Sequence, residues 1–235
     1  MKTVLITGGS RGIGARTAAL FAENGWLPFT CARSAPSPDD AVPGAVFCPC
    51  DVRDEKQVAA LRDNVMNKAH HLDALVLCAG TAWRGLIQDM PTDAFDELTS
   101  VHLKGAFLPV KYFLPSMISR GCGSIVFVSS MWGQTGASCE AAYSAVKAGQ
   151  IGFAKALARE CGLAGIRVNA VCPGYIDTKM NEGLPQGTET QMLDETPLGR
   201  IGTASDCAEA VYYLCSDKAS FITGQVIGVN GGMVI

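Results

Sequence analysis

The sequence predicts one α/β domain in which a doubly wound parallel sheet of seven strands carries helices on both faces. Three observations lead to this fold class. Short apolar runs alternate with helical segments along the whole chain, as in repeated strand–helix–strand units. A glycine-rich turn at residues 7–14 separates the first apolar run from the first helical segment. The 235 residues are 48% hydrophobic, which is enough for one sizeable core and gives no sign of a second domain.

The strands and helices follow from this alternation. The short apolar runs predict strands at residues 3–7, 27–31, 45–50, 74–77, 124–128, 166–171 and 225–229. The segments between them predict helices at about residues 13–24, 55–69, 94–112, 142–160 and 204–215. Gly25 closes the first helix. Residues 34–44 hold three of the eleven prolines and an acidic pair, so we expect an exposed loop there instead of a helix.

The turn TGGSRGIG is typical of a dinucleotide site. Gly8, Gly12 and Gly14 let the backbone turn sharply and approach a ligand closely. The helix that follows offers free N–H groups and a partial positive charge to a pyrophosphate. Glycine-rich turns are common, but this one lies between a strand and a helix of the first βαβ unit, which is the context that such binding requires.

The end of the second strand indicates which dinucleotide is bound. NAD-binding folds carry an acidic residue near this point for the ribose 2′-hydroxyl, whereas an arginine suits a 2′-phosphate. Here Arg33 stands nineteen residues after Gly14, with Ser34 beside it and Arg11 in the glycine turn. Each arginine alone could be a solvated surface cation. Because the acidic residue is missing, the sequence favours NADP(H) as the cofactor.

A second group of polar residues lies between residues 124 and 147. Tyr143 and Lys147 are four residues apart on a predicted helix, so their side chains share one face. A phenol has an ordinary pKa of about 10, and a nearby cation favours its ionised form. Ser130 leaves the preceding strand, where it can hold a carbonyl oxygen. Together the three groups can polarise a C=O bond and protonate the alkoxide; Tyr and Lys alone would more often be a buried phenol beside a solvated ammonium.

Composition excludes several functional classes. The formal net charge is −3 and the lysines and arginines are scattered, which argues against a nucleic-acid partner. Met1 and Lys2 lead directly into the first strand, and no apolar run reaches the about 18 residues of a membrane span. We therefore expect a soluble, cytoplasmic protein with no membrane partner. The ten cysteines have no CxxC spacing, so they are expected to be reduced, mostly buried thiols, and no metal site is predicted.

Several motifs in order resemble the short-chain dehydrogenase/reductase family, and within it the 3-oxoacyl carrier-protein reductase-like branch. The resemblance covers essentially the whole chain. Its motifs are TGGSRGIG at 7–14, Asp51-Val52, the CAG turn at 78–80, Ser130, YSAVK at 143–147, RVNAVCPG at 167–174 and ITGQVIGVNGG at 222–232. It implies a Rossmann fold and NADP-dependent interconversion of a ketone and a secondary alcohol.

The resemblance also implies a role for individual residues. Ser130 would anchor the substrate carbonyl, Tyr143 would be the general acid, and Lys147 would lower the pKa of the phenol while binding the nicotinamide ribose. Asp51 would contact the adenine. The residues expected to bind the cofactor are Gly8, Ser10, Arg11, Gly12, Ile13, Gly14, Arg33, Ser34, Asp51, Val52, Ala79, Gly80, Tyr143, Lys147, Pro173, Gly174, Ile176 and Thr178.

The chain departs from the family pattern at two places. Leu77-Cys78-Ala79-Gly80 stands where the family has Asn-Asn-Ala-Gly, so a hydrogen bond on the adenosine side is expected to be lost. His102 stands where the family has an active-site Asn that is thought to hold a water linking Lys147 to solvent. An imidazole can donate and accept as an amide does, so His102 is a candidate catalytic relay that titrates near pH 6.5; the alternative is that it only fills space.

The substrate is the least determined part of the interpretation. The peptide SSMWGQTGASCEAAYSA resembles the reductases that convert a 5-aminopentanone on elongation factor P, and Glu140, three residues before Tyr143, could attract an amine. Glu140 could equally be an ordinary acidic residue at a helix N-terminus. The alternative substrate is a 3-oxoacyl chain on acyl carrier protein, and a lesser alternative is a dinucleotide sensor without catalysis. Residues of about 175–200 are expected to form a lid over the nicotinamide.

The family resemblance also implies a homotetramer. The surfaces that family members use for assembly correspond to residues 107–112, residues 143–157 and the strand after Gly224. Ordinary packing of these helices against the sheet is the alternative.

Overall fold

The structure, a computed structural model, describes residues 1–181, 183 and 187–235. Its centre is a sheet of seven parallel strands in the order β3-β2-β1-β4-β5-β6-β7. The strands are β1 Thr3–Thr7, β2 Leu27–Ala32, β3 Val46–Pro49, β4 Ala74–Leu77, β5 Gly123–Val128, β6 Ile166–Pro173 and β7 Val226–Val229. The predicted seven-stranded parallel sheet is therefore confirmed.

The longer connections between the strands are helical. The helices are α1 Gly12–Glu23, α2 Glu55–Ala69, α3 Thr92–Thr99, α4 Gly105–Arg120, α5 Trp132–Thr135, α6 Ala141–Cys161, α7 Thr188–Asp194 and α8 Ala204–Cys215. Only a short 3₁₀ turn, Pro38–Asp40, interrupts the loop between β2 and β3, as the prolines predict. The capping box of Thr203 and Asp206 begins α8.

Two apolar cores hold the layers together, one on each face of the sheet. On one face, α2, α4 and α6 pack through side chains such as Val65, Phe113 and Leu157. On the other face, α1 and α8 pack through side chains such as Phe21 and Val211. Since successive strand residues point to opposite faces, each buried strand contributes to both cores.

The predicted helix at 94–112 is wrong in one respect. The structure has two helices, α3 and α4, joined by a π-helical stretch at Ser100–Lys104. His102 lies in this stretch with its side chain fully buried. A π turn inserts an extra residue into the helical repeat, which redirects the side chains that follow. The irregularity therefore turns an imidazole toward the carboxyl ends of the strands.

All ten cysteines are free thiols. Cys122 and Cys139 are exposed, Cys78 is partly buried, and the others are buried. Buried thiols act as small apolar residues in such cores. In the part of the chain that the structure describes, no helix is long and apolar enough to cross a bilayer.

Candidate active site

The glycine turn lies at the carboxyl end of β1, where a doubly wound sheet binds its ligands. Gly8 has φ 68° and its amide donates to the carbonyl of Cys31 at 2.8 Å, which ties the turn to β2. A Cβ on Gly8 would lie 2.8 Å from the Cα of Ala79. Both the left-handed backbone and the close approach therefore require glycine here.

The N-terminus of α1 is suited to a pyrophosphate. Its N-cap residue, Arg11, makes no side-chain capping hydrogen bond, so the amides of the first turn are available to a ligand. Thr178, in the segment after β6, lies close to Gly12. Its Cγ2 would be 3.6 Å from a Cβ placed on that glycine. The residues at this end fit a dinucleotide, with the glycine turn on one side and the segment after β6 on the other.

Charged side chains surround the predicted adenosine end. Asp51, at the end of β3, accepts hydrogen bonds from Nε and Nη2 of Arg53 at 2.9 and 2.6 Å, and this neighbour lowers the pKa of its carboxyl. Arg33 is largely exposed at the end of β2, and its Nη1 lies 3.7 Å from Oε1 of Glu97. Glu97 also approaches Arg53 at 3.5 Å. Sequence reasoning missed Arg53, although it lies only two residues after Asp51.

The other predicted cofactor residues occupy the same edge of the sheet. Val52 is buried against Gly105, whereas Ser34 is exposed. Ser10 and Ile13 are partly buried in the glycine turn and the first turn of α1. Leu77 and Cys78 stand where the family pattern has Asn-Asn. Here the hydroxyl of Thr7 accepts hydrogen bonds from the main-chain amides of Cys78 and Ala79, both at 3.1 Å.

Helix α6 is held against the end of β5 by two contacts near the predicted catalytic residues. The hydroxyl of Ser129 donates to the carbonyl of Lys147 at 2.9 Å. Gly133 in α5 lies against the same turn, since a Cβ there would lie 2.8 Å from the carbonyl carbon of Lys147. The Ser130 hydroxyl lies within hydrogen-bonding reach of the Tyr143 phenol, and it accepts from the amide of Trp132 at 3.2 Å. The structure thus assembles the three predicted side chains in one site.

Lys147 is buried and held by two acceptors. Its Nζ donates to the carbonyl of Val128 at 2.8 Å and to Oε1 of Gln150 at 3.2 Å, and it lies 5.6 Å from the centre of the Tyr143 ring. Burial lowers the pKa of Lys147 to about 8. The ammonium form therefore predominates at neutral pH and is lost as the pH rises through about 8.

The pKa of Tyr143 is displaced in the direction opposite to the expected one. Burial, together with the negative charge of Glu140, raises this pKa well above its ordinary value, while the Ser130 hydroxyl and the charge of Arg84 oppose the increase. Desolvation of the phenol is the largest of these effects, so the expected lowering of its pKa does not occur. In the protein alone the phenol is neutral at physiological pH, and it carries the proton that an alkoxide would need.

His102 does not titrate near pH 6.5, so this part of the expectation is wrong. Burial, and then the positive charge of Lys147, lowers its pKa to about 3. Nε2 lies 2.7 Å from the carbonyl oxygen of Thr81, and the ring is edge-on to Tyr143 with centroids 5.6 Å apart. A Cβ on Gly80 would lie 2.8 Å from Cε1, so the glycine makes room for the imidazole. At neutral pH any relay through His102 would use the neutral ring.

Arg84 joins three segments around the mouth of the site. Its Nε donates to Oε1 of Glu140 at 2.9 Å, its Nη2 donates to Oδ1 of Asn181 at 2.9 Å, and its Nη1 donates to the carbonyl of Met180 at 3.3 Å. The adjacent amide of Gly85 donates to the carbonyl of Cys139 at 2.8 Å. Glu140 is therefore paired with an arginine, and the sequence did not predict this partner.

Hydrogen bonds fix the end of β6 and the segment after it, where several of the predicted cofactor residues lie. The carbonyl of Pro173 accepts from the amide of Met131 at 2.9 Å, and the amide of Gly174 donates to Val229 at 3.0 Å. Ile176 is buried and forms an isolated bridge with Gly202. The predicted lid at 175–200 includes α7, but residues 182 and 184–186 lie outside the described part of the chain.

Comparison with known proteins agrees with this fold. A family model described as enoyl-(acyl carrier protein) reductase matches residues 8–234. The chain is 39% identical over 241 residues to the 3-oxoacyl-[acyl-carrier-protein] reductase FabG of Thermotoga maritima, with 100% of this chain and 98% of the relative covered.

Two further relatives are similar over the same extent. The FabG of Staphylococcus aureus (strain Mu50), named 3-oxoacyl-[acyl-carrier-protein] reductase, is 37% identical over 240 residues, with 99% of this chain and 98% of the relative covered. The uncharacterized oxidoreductase YmfI of Bacillus subtilis is 36% identical over 240 residues, with 98% of each chain covered. The chain belongs to the short-chain dehydrogenase/reductase family and is an NAD(P)-dependent oxidoreductase acting on CH–OH groups.

Proposed function

We propose that the protein reduces a 3-oxoacyl chain on acyl carrier protein to the 3-hydroxyacyl product, with NADPH as the reductant. The observation that carries this proposal is the convergence of Ser130, Tyr143 and buried Lys147 at the sheet edge that also holds the glycine turn. Relatives of matching length from two bacteria are named for this activity, which favours it over the elongation factor P reaction.

The reaction requires a hydride and a proton. The glycine turn, the N-terminus of α1 and Lys147 would hold NADPH, which would supply the hydride, and the protein supplies the proton to the oxygen. The Ser130 hydroxyl donates to the carbonyl oxygen and aligns it beside Tyr143. The neutral phenol transfers its proton to the developing alkoxide. The ammonium of Lys147 stabilises the phenolate that remains, until a proton from solvent restores the phenol.

NADPH is favoured over NADH by the charges at the adenosine end. Arg33 and Arg53 both approach the carboxylate of Glu97, at 3.7 and 3.5 Å. A 2′-phosphate carries more charge than one carboxylate and accepts bidentate hydrogen bonds from guanidinium groups. We therefore expect the phosphate to bind the two arginines in competition with Glu97.

Ketone reduction is preferred here to enoyl reduction, although the matching family model carries an enoyl reductase description. Ser130 and Tyr143 provide two hydroxyl groups at a single point, which suits an oxygen that becomes an alkoxide. Reduction of a carbon–carbon double bond develops no alkoxide at the carbon that receives the hydride. An assay with acetoacetyl and crotonyl thioesters, following NADPH absorbance, separates the two reactions.

A second candidate substrate is the 5-aminopentanone on elongation factor P. Glu140 acts on the pKa of Tyr143, so its negative charge lies close enough to the phenol to influence an amine-bearing substrate. Its pairing with Arg84 weakens this attraction, since the carboxylate already has a cationic partner. If elongation factor P carrying the ketone is reduced at least tenfold more efficiently than an acetoacetyl thioester on carrier protein, this candidate replaces the first.

A homotetramer is part of the proposal. Phe107 on α4 is 46% exposed, and Phe221 just before β7 is fully exposed, which suits surfaces that a second copy would cover. Light scattering at micromolar concentration should give four times the mass of one chain, and a monomer would refute the assembly. If the protein reduces no ketone with either NADPH or NADH, the dinucleotide-sensing alternative is favoured instead.

A further inference from the structure

Gln150 is a buried polar residue to which neither the motifs nor the fold assigns a role. It lies on α6, three residues after Lys147, and is 1% exposed. A buried side-chain amide is unfavourable unless both of its ends are hydrogen-bonded. Both ends of Gln150 have partners, and both partners belong to the proposed catalytic site.

The two hydrogen bonds of Gln150 form a bridge. Its Oε1 accepts from Nζ of Lys147 at 3.2 Å, and its Nε2 donates to the main-chain carbonyl of His102 at 2.9 Å. The residue at 102 is expected from the family pattern to reach the lysine through a water. In this chain the side-chain amide of Gln150 takes the place of a water and links the π-helical stretch to Lys147 through two hydrogen bonds.

We propose that Gln150 is a positioning residue that holds the Lys147 ammonium between α6 and the π-helical stretch at Ser100–Lys104. The inference rests on the role of Lys147 in the proposed function. Gln150 and the carbonyl of Val128 together restrain Nζ from two directions and leave one N–H for either the ribose or the phenol. An amide oxygen stabilises the charged amine over the neutral one, so this contact opposes the effect of burial.

The surroundings of Lys147 make this contact measurable. The titratable groups that face it are Cys78 after β4, Cys172 in β6, His102 in the π-helical stretch and Tyr143 in α6. The pKa of Cys78 is raised to about 11 and that of His102 is lowered to about 3, so neither changes charge between pH 6 and 9. A change in the pKa of Lys147 across this range therefore reports on its direct acceptors.

The test compares Gln150→Glu and Gln150→Leu with the parent protein. A carboxylate at this position should raise the pKa of Lys147 by about one unit or more, and removal of the acceptor should lower it by about half a unit or more. ¹³C NMR of the lysine Cε carbons, with Lys147→Met to assign the signal, measures the pKa without substrate or cofactor. Gln150→Met, which keeps the length of the side chain, serves if the leucine variant does not fold.

Kinetics provide the second measurement. In the leucine variant the alkaline decline of kcat should begin at lower pH, with a loss of about 2.5-fold or more relative to the parent at pH 8.5 that is recovered at pH 6.5. Asn169→Leu removes another buried side-chain amide, one whose partners are Ile222 and Gln225 instead of Lys147, and should lower stability without moving the pH profile. An unchanged pKa of Lys147 in both Gln150 variants would overturn the inference. If the Gln150 variants shift the pKa of Lys147 but the parent protein reduces no ketone, the contact is supported and the proposed function is overturned.

Discussion

The buried imidazole of His102 should make the protein sensitive to mild acid. The pKa of this ring is about 3 in the folded protein and near its ordinary value of 6.5 in the unfolded chain, because burial disfavours the cation. Between these values the unfolded chain binds more protons. Above pH 6.5 the ring is neutral in both states and the folded protein keeps its full stability. As the pH falls from 6.5 toward 3, protonation of the ring in the unfolded chain lowers the free energy of unfolding.

The size of this effect follows from proton linkage. One proton bound only by the unfolded chain changes the free energy of unfolding by about 1.4 kcal/mol per pH unit, so His102 should cost about 2 kcal/mol between pH 6.5 and 4.5. His102→Asn removes the titration and keeps a side chain that can bond to Thr81. Its free energy of unfolding should fall about 2 kcal/mol less than that of the parent over this interval.

Urea unfolding followed by circular dichroism at both pH values measures this difference. His70→Asn is the matched control, because His70 is exposed at the C-terminus of α2 with φ 63°, a conformation that Asn adopts readily. The control should lose as much stability in acid as the parent. If His102→Asn also loses as much as the parent, within about 0.5 kcal/mol, the assignment of a buried neutral ring is refuted.

Four other predictions follow from the site and the core. Tyr143→Phe should lower kcat/KM for a 3-oxoacyl thioester by about 10²- to 10⁴-fold in stopped-flow or steady-state assays, and parental turnover would contradict proton donation by the phenol. Arg33→Ala should raise the KM for NADPH about tenfold and leave that for NADH unchanged, whereas equal effects on both would exclude a 2′-phosphate contact. Arg84→Ala should raise the substrate KM and lower Tm by a few degrees, and Arg84→Lys should not restore either value because lysine cannot reproduce the three-way contact. Phe127→Ala should lower the free energy of unfolding by about 3–5 kcal/mol in urea, and a loss under 1 kcal/mol would mean that the core around β5 repacks.

The sheet and its ligand edge could be predicted from sequence because both depend on local patterns. Each strand is a short apolar run, and parallel strands bring their carboxyl ends to one edge regardless of side-chain detail. The glycine turn, Ser130 and Tyr143 all follow strands or begin helices at that edge, so their proximity follows from topology. The pattern at 94–112 did not reveal the π-helical stretch, because the irregularity is accompanied by packing of His102 against Gly80, which is distant in sequence.

Contacts between distant residues account for what the sequence did not predict. Arg84 bonds to partners 56 and 97 residues away, and a single exposed arginine in a loop gives no sign of either. Gln150 resembles any polar residue on a helix until its two partners are known. The direction of the Tyr143 pKa also depended on burial, which outweighs the opposing effects of the Ser130 hydroxyl and the Arg84 charge once the site is folded.

The position of Cys139 has a practical consequence. It is one of two exposed thiols, its main-chain carbonyl is bonded to Gly85, and it immediately precedes Glu140 at the mouth of the site. A fluorophore attached there, with Cys122 replaced by Ser, would sit beside the junction of three loops and leave the buried thiols unlabelled. Its emission should change when a substrate enters the site, so Cys139 is a natural attachment point for a fluorescent probe of substrate binding.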